Sequence, residues 1–343
     1  MKASKKRLFV VGVIAVFAIG LFVGCAGPRP AAAATSVPDD LKVEIPRLPL
    51  TLASVTVGSP NAIYSAIWAD IMMKNIPGLT ISVEPGGMAQ NMQNVHAGNA
   101  EFGLVATLIA YPGYYGMDWA EGVKYDNVRG FFPQYHYHGL FMTKADSGIK
   151  NITDLEGKVF GIGNVGSGAD TTGRQMVEFF GITPRQLVNA SWTDIGNMLG
   201  DGMLDAVFYL AGHPVAFLQE IELSHDMHYF ELTEEQTKQF LEAYPYYATG
   251  TIPAGTYKGM PEDYHALIGF NQFICSPSLD DGLVYLMTKT LFENLQPLHE
   301  AHPDFQHTLL ENVKYMNLPL HPGAERYYKD MGVELPVMPA PPK

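Results

Sequence analysis

The sequence predicts an α/β protein of two lobes. Three observations carry that expectation. From about residue 51 onward, short apolar runs alternate with amphipathic stretches, the pattern of strands feeding helices. The first three runs are separated by stretches long enough for crossover helices, which favours a parallel sheet with right-handed connections. The length of 343 residues suits one large domain or two of about 100–200 each, and no repeat of fixed period interrupts it. Composition narrows the function classes. With 22 Lys and Arg against 35 Asp and Glu, the net charge of −13 argues against a general nucleic-acid binder, which needs a basic face to displace counterions. The two cysteines, Cys25 and Cys275, exclude a disulfide framework and a Cys-rich zinc module. A mean hydropathy of +0.01 with 17% charged residues excludes a polytopic membrane protein.

The chain opens on a targeting pattern. Lys2, Lys5, Lys6 and Arg7 form a basic region before the apolar run Leu8 to Val23, which is too short and too close to the terminus for a spanning helix. Leu21-Phe22-Val23-Gly24-Cys25 resembles a bacterial lipobox, in which the Cys after a small residue is lipidated and becomes the new N-terminus. Residues 1–24 are therefore read as a lipoprotein signal peptide, and Cys25 as the lipidation site that anchors the protein to a membrane. A simple secretory signal cleaved near Ala26 or Ala34 is the alternative, and both readings export the protein to the periplasm or cell surface. Loss of residues 1–24 removes four basic and no acidic residues, leaving 18 against 35 and a charge of −17. Residues 25–50, rich in Ala and Pro, read as a flexible, exposed tether.

In the globular body, Leu52 to Val57 reads as a strand and Gly58-Ser59-Pro60-Asn61 as a turn into a helix with Ile63, Ile67, Trp68 and Ile71 at helical spacing. Leu79 to Val83 is the next strand, broken at Pro85-Gly86-Gly87 before a helix from Met88 to His96, and Phe102 to Val105 is the third. A second block begins near Phe131. Gly139 to Thr143 and Lys158 to Ile162 read as strands, and Gly163 to Gly168 leads into a helix over Asp170 to Phe180 that Gly181 ends. Leu187 to Trp192 and Leu204 to Leu210 read as strands around a helix at Ile195 to Gly202, and a helix follows from Val215 to Glu222. The acidic, Tyr-rich stretch to Ala248 reads as irregular, Leu267 to Ile274 as a strand and Leu283 to Leu295 as a helix.

Four small-residue loops, at 58–61, 85–88, 163–169 and 211–214, each join a strand to a helix. In open α/β sheets ligands bind beyond the carboxyl ends of the strands, where helix N-termini present unpaired N–H groups. Gly166-Ser167-Gly168-Ala169-Asp170-Thr171 is read either as an anion cradle or as a tight turn in which Ser167, Asp170 or Thr171 caps the helix. Catalytic templates fail. The chain has no G-x-x-x-x-G-K-[ST], Ser167 is not in a G-x-S-x-G elbow, and glycines at 161, 163 and 166 match G-x-G-x-x-G without an acidic partner downstream. His136 and His138 share a strand face and His299 and His302 a helix face, with His307 beyond, but no third ligand at short spacing completes a metal set. His213 either lines a cleft or packs in its turn. Tyr111, Tyr114 and Tyr115, with Tyr244, Tyr246 and Tyr247, form either pocket walls or lobe packing.

Several motifs together resemble a known pattern over nearly the whole exported chain. Asp154-Leu155-Glu156-Gly157-Lys158-Val159 followed by Gly166-Ser167-Gly168 looks like the second-lobe entry of type II periplasmic binding proteins. Glu84-Pro85-Gly86-Gly87-Met88-Ala89-Gln90-Asn91, Ala211-Gly212-His213-Pro214, Ile252 to Tyr257 and the block Leu283 to Asn294 resemble the TAXI family, the solute receptors of tripartite ATP-independent periplasmic (TRAP) transporters. The resemblance implies two α/β lobes joined by hinge strands, closing over a small organic anion of carboxylate or amino-acid type. It implies a monomer without cofactor or catalysis, which delivers its ligand to the membrane subunits of a TRAP permease. The lobes would divide as 51–135 for the first part of lobe 1, 136–250 for lobe 2, and 251–343 for the hinge return, the completion of lobe 1 and the C-terminal helices. Ligand contacts would come from Ser59, Asn61 and Tyr64, from Gly86, Gly87 and Met88, and from Gly166, Ser167, Gly168 and Ala169, with His213 nearby. The N–H groups of Gly168 and Ala169 with Ser167 Oγ would hold the carboxylate, while Arg174 lies too far along its helix to reach it. The chain departs from the family pattern at Pro60-Asn61-Ala62-Ile63, Ala106-Thr107-Leu108 and Ala169, each removing a polar or flexible group from the expected cleft. Other readings are a receptor for an ABC importer, an enzyme built around Cys275, and a sensory or adhesive lipoprotein with no tight ligand.

Overall fold

A computed structural model describes residues 37–57 and 59–341. The expected signal peptide, the Cys25 lipidation site, the tether up to residue 36 and Gly58 lie outside the described residues. The strands are β1 (Leu50–Ala53), β2 (Ile81–Glu84), β3 (Phe102–Ala106), β4 (Arg129–Lys144), β5 (Val159–Gly161), β6 (Gln186–Val188), β7 (Ala206–Ala211), β8 (Met227–Phe230), β9 (Ala248–Ile252) and β10 (Tyr264–Cys275). The helices are α1 (Pro60–Asn75), α2 (Met88–Ala97), α3 (Thr107–Tyr115), α4 (Gly168–Phe179), α5 (Trp192–Gly200), α6 (Ala216–Ser224), α7 (Glu234–Ala243), α8 (Asp281–Glu293), α9 (Gln296–Ala301) and α10 (Pro322–Asp330). Among the described residues no helix is long and apolar enough to cross a membrane.

One sheet runs through the molecule in the order β2-β1-β3-β10-β4-β7-β5-β6, with β8 on β4 and β9 on β10. The expected parallel pairing holds at both ends, since β1 pairs in parallel with β2 and β3, and β5 with β6 and β7. Two long strands in the middle are antiparallel. The first half of β4 pairs with β10, and its second half pairs with β7 and β8. Conversely, the second half of β10 pairs with β3 and its first half with β9. These two strands therefore carry the chain between the lobes and back. Their register shifts between Phe270 and Gln272, a bulge on β4 that sets Gln134 and Tyr135 opposite Asn271 alone. The expected partition at 135/136 falls in the middle of β4, and that at 250/251 falls inside β9.

Each lobe has its own core. Trp68 of α1, Phe102, Phe131, Phe132 and Phe273 are fully buried with Met287, Leu291 and Tyr328 of the C-terminal helices, in one cluster. Strand alternation fills both faces of the other lobe. Phe141, Phe160 and Phe208 face one side with Phe240, whereas Leu140, Met142 and Val207 face the other with Ile195 and Leu218. Residues 37–49, expected within the exposed tether, instead lie on the first core. Val37, Leu41 and Ile45 pack against it, Asp40 pairs with Arg326 at 3.1 Å, and the Glu44 amide donates to Asp280 at 3.2 Å. Their regularly spaced apolar residues bury area that the Ala- and Pro-rich composition obscured.

Two further differences have clear causes. α3 follows β3 where no helix was expected, because Pro112 and Gly113 in its second half break the usual signature. The stretch read as irregular contains β8 and α7, the latter opened by a Thr233–Gln236 capping box. The tyrosines of the two Tyr-rich groups pack against one another. Tyr111 lies 5.5 Å from Tyr246, the Tyr246 hydroxyl donates to Asp118, and the Tyr111 hydroxyl donates to the Pro339 carbonyl of the C-terminal tail. Gly181, at φ 64°, ends α4 as expected.

Candidate functional site

A cavity of about 530 Å³ lies where the strand ends of both lobes meet the hinge. Its wall takes Asn61 from α1, Gly87 to Gln90 from α2, and Ala106, Leu108 and Ile109 from the junction of β3 and α3. The second lobe adds Gly166, Gly168 and Thr171 at α4, and Leu210 to Gly212 at the end of β7. Tyr135, Tyr137 and Asn271 come from the hinge strands, and Asp304 from a 3-10 turn at Pro303–His307. Strand period places Tyr135 and Tyr137 on one face of β4, and on β10 it places Asn271 on the same face as Gly269, which lies against Tyr137.

The helix starts around this cavity differ in how their first amides are satisfied. Ser167 Oγ accepts the Asp170 N–H at 3.2 Å and caps α4. Ser59 Oγ accepts from Ala62 at 3.2 Å and donates to the Thr56 carbonyl at 3.0 Å, so it is fully used at α1. α2 starts from Gly87 and α3 from Ala106, and neither has a side-chain cap. The first N–H groups of a helix have no partner within it, and a buried start without a cap is unusual. That describes α3, where Ala106, Thr107 and Leu108 are all buried. The buried Tyr137 hydroxyl stands beside it, within reach of Thr107 and the Leu108 backbone but without a hydrogen bond of good geometry. Burial raises its pKa well above the usual phenol value.

The loop before α4 is held rigidly. Asp170 accepts the Gly166 N–H at 2.9 Å, Arg174 Nε at 2.7 Å and Asn189 Nδ2 at 2.9 Å, and Asn189 also donates to the Gly163 carbonyl. Burial pushes the Asp170 carboxyl up, but these bonds outweigh it and hold the pKa below the ordinary value. Gly166 sits at φ 75°, a left-handed conformation that favours glycine and lets the loop turn back under Asp170. Arg174 is thereby engaged with Asp170 and Asn189 and is not in the cavity wall.

Of the residues expected to touch ligand, Asn61, Gly87, Met88, Gly166 and Gly168 stand in the wall. Gly86, Ser59, Ser167, Ala169, Tyr64 and His213 do not. Tyr64 is fully buried behind Tyr135, with its hydroxyl 3.1 Å from Thr308 and its ring 5.0 Å from Phe305. It faces the sheet because α1 turns its apolar side there. Ala169 is likewise buried under α4, leaving Thr171 in the wall. His213 turns back to Tyr257, its Nδ1 lying 2.6 Å from that hydroxyl. It ends a row of imidazoles on the far face of the hinge, with His307 and His136 4.5 Å apart, His136 and His138 4.7 Å, and His138 and His213 5.9 Å. Burial pushes His136 and His213 down to about 4 and His138 to about 3, and neighbouring imidazoles add to the shift at His136 and His138. Among the described residues no group of three or more His, Cys, Asp or Glu is arranged to hold a metal ion.

Asp304 was not foreseen. Among the described residues it is the only charged side chain in the wall. Burial pushes its carboxyl pKa up, and His302 and His307 oppose this; His302 Nδ1 lies 3.8 Å away. Gly212 comes so close that a Cβ there would meet the Asp304 carboxylate at 2.3 Å, so at this point the second lobe brings backbone against the C-terminal turn. Tyr135 donates its hydroxyl proton to Asn61 Oδ1 at 2.8 Å, joining two walls.

Comparison with known proteins agrees with this architecture. Residues 60–332 match the model of the NMT1-like family. A TctC solute binding protein from Polaromonas is similar in structure, with TM-score 0.50 and 10% identity, covering 83% of this chain and 98% of that one. The arginine-, lysine-, histidine-binding protein ArtJ from Geobacillus stearothermophilus is similar at TM-score 0.44 and 12% identity, covering 77% of this chain and 98% of that one. The chain belongs to the NMT1-like family and has the two-lobed α/β fold of periplasmic binding proteins.

Proposed function

We propose that this protein is an extracytoplasmic solute-binding receptor, which captures a small organic anion of carboxylate or amino-acid type and hands it to a membrane permease. The observation that carries the reading is the buried, uncapped start of α3 opening on the interlobe cavity beside the uncapped start of α2. Oriented amides and helix dipoles supply local positive potential to a carboxylate without a basic side chain, which suits an acidic protein. The Gly168 amide, behind the Ser167 cap, offers a second contact from the other lobe. A ligand touching both lobes prefers the closed arrangement, so binding and bending at β4 and β10 are coupled. Catalysis forms no part of this role. Cys275 is fully buried, and burial raises its thiol pKa far above the reactive range.

The motif resemblance to TAXI receptors supports a TRAP permease as the recipient, and the lipobox supports anchoring through Cys25. Native mass spectrometry of the purified protein, searching for a co-purified small acid, tests the receptor reading. Thermal-shift titration follows: a true ligand at 100 times its dissociation constant stabilises by about 2.7 kcal/mol. The reading fails if no small acid stabilises the protein. Uptake in proteoliposomes that responds to an ion gradient supports the TRAP assignment, and uptake that requires ATP assigns the protein to an ABC importer.

A further inference from the structure

Resting on that receptor reading, we propose that Asp304 sets the charge of the ligand, so that the cavity takes a small zwitterion, a carboxylate with a protonated amine, in preference to a dicarboxylate. Among the described residues the cavity wall contains no Lys or Arg, and its one group of full charge is the Asp304 carboxylate. Only about a fifth of that side chain is exposed, and its nearest cation-forming partner, His302 Nδ1, is at 3.8 Å, beyond hydrogen-bond distance. A carboxylate withdrawn from water without a paired cation is costly, and a ligand ammonium would remove that cost.

His307 and the Tyr209 hydroxyl lie near enough to feel the Asp304 charge but make no hydrogen bond to it, and the two groups beside it, Tyr135 and Gly212, do not supply the missing donor. Tyr135 spends its only proton on Asn61 Oδ1 and so has none left for Asp304. Gly212 brings backbone against the carboxylate and has no side chain with which to pair it. This region of the wall thus holds a negative charge, whereas the starts of α2 and α3 present uncapped amides. A zwitterion matches both. A dicarboxylate satisfies the helix starts but sets its second negative charge in the same cavity as Asp304, where reduced dielectric strengthens the repulsion.

Matched ligands test this on the full exported chain by isothermal titration at about pH 7.5, where the amines are protonated. One set comprises the neutral α-amino acids and 4-aminobutyrate, and the other succinate, glutarate and 2-oxoglutarate. The expected result is that the tightest zwitterion binds at least about tenfold more tightly than the tightest dicarboxylate. Asp304→Asn, a near-isosteric change, should reduce that preference by at least about tenfold, chiefly by weakening the zwitterion. Dicarboxylates binding the unaltered protein as well as the zwitterions do would overturn the inference while leaving the receptor reading intact. Asp304→Asn with an unchanged preference would overturn it as well. Binding by neither set overturns this inference and leaves the receptor reading to the search for a co-purified acid, and the ratio in the unaltered protein decides the matter even if the variant folds poorly.

Discussion

α4 and α3 both begin at the cavity, and they begin in opposite ways. α4 starts under Ser167, whose hydroxyl oxygen takes up the Asp170 amide, and its loop is braced by Asp170, Asn189 and Arg174. α3 starts under Ala106, buried and without a cap from its own N-cap side chain, with only the Tyr137 hydroxyl beside it. α1 and α5 follow the first pattern, with Ser59 and Ser191 as caps, and α2 the second, with Gly87. α6 is also uncapped, but Ala216 at its start is exposed and stands outside the wall. A serine at such a turn marks an amide that is already satisfied, while a small apolar residue leaves the amide for whatever enters the cavity. The residue that looks most functional in the sequence can therefore be the one least available to a ligand.

Acid gives the largest effect and separates the hinge from the caps. His136, His138 and His213 remain neutral in the fold down to about 4, 3 and 4, whereas in the unfolded chain they titrate near about 6.5. Between those values the unfolded state binds more protons, so their contribution to stability is complete above about 6.5 and is lost as the pH falls towards 4. Urea unfolding at pH 7.5, 6 and 5 should show this loss, and cap variants should give curves parallel to the unaltered protein. Equal stability at pH 7.5 and 5 would show that the imidazoles are not held neutral.

Next in size is Gly87→Asp, which breaks the contrast by converting α2 to a capped start. A Cβ at this position meets nothing within 4 Å, so the fold should tolerate it. The new carboxylate occupies the amides and repels an anionic ligand, and affinity should fall by at least about tenfold while thermal stability holds or rises. Unchanged affinity in titration calorimetry would remove α2 from the ligand's contacts. Ser167→Ala should cost about 1 kcal/mol of stability through the lost cap and change affinity by less than about threefold. A large affinity loss with little change in unfolding would return Ser167 to the site. Tyr64→Phe should have the smallest effect, about 0.5–1.5 kcal/mol from the lost contact with Thr308, and ligand affinity within about twofold. Denaturant curves paired with titrations measure both.

Alternation of apolar runs made the strands and most helices legible, and the four small-residue loops marked much of the cavity: Asn61, Gly87, Gly166, Gly168 and Gly212 all stand in its wall. Sequence could place Tyr64 in the first turn of a helix but could not tell which face of that helix the sheet would cover. The α3 start was hidden because Ala106-Thr107-Leu108 offers no capping residue, which is the property that matters there. Tyr135, Asn271 and Asp304 were invisible for a different reason. They belong to three distant segments, and only the pairing of β4 with β10 and the return of the C-terminal turn bring them together. No local pattern encodes such convergence.

The way β4 and β10 share one ladder also bears on how such a protein can be recombined. His138 pairs with Ile268, so the chain leaves for the second lobe and returns at neighbouring positions of the same pair of strands. That lobe is in effect an insert, with both its junctions side by side. Two splice points would transplant it whole between relatives, taking Gly166, Thr171 and Gly212 with it, while Asp304 and the starts of α2 and α3 stay behind with the host.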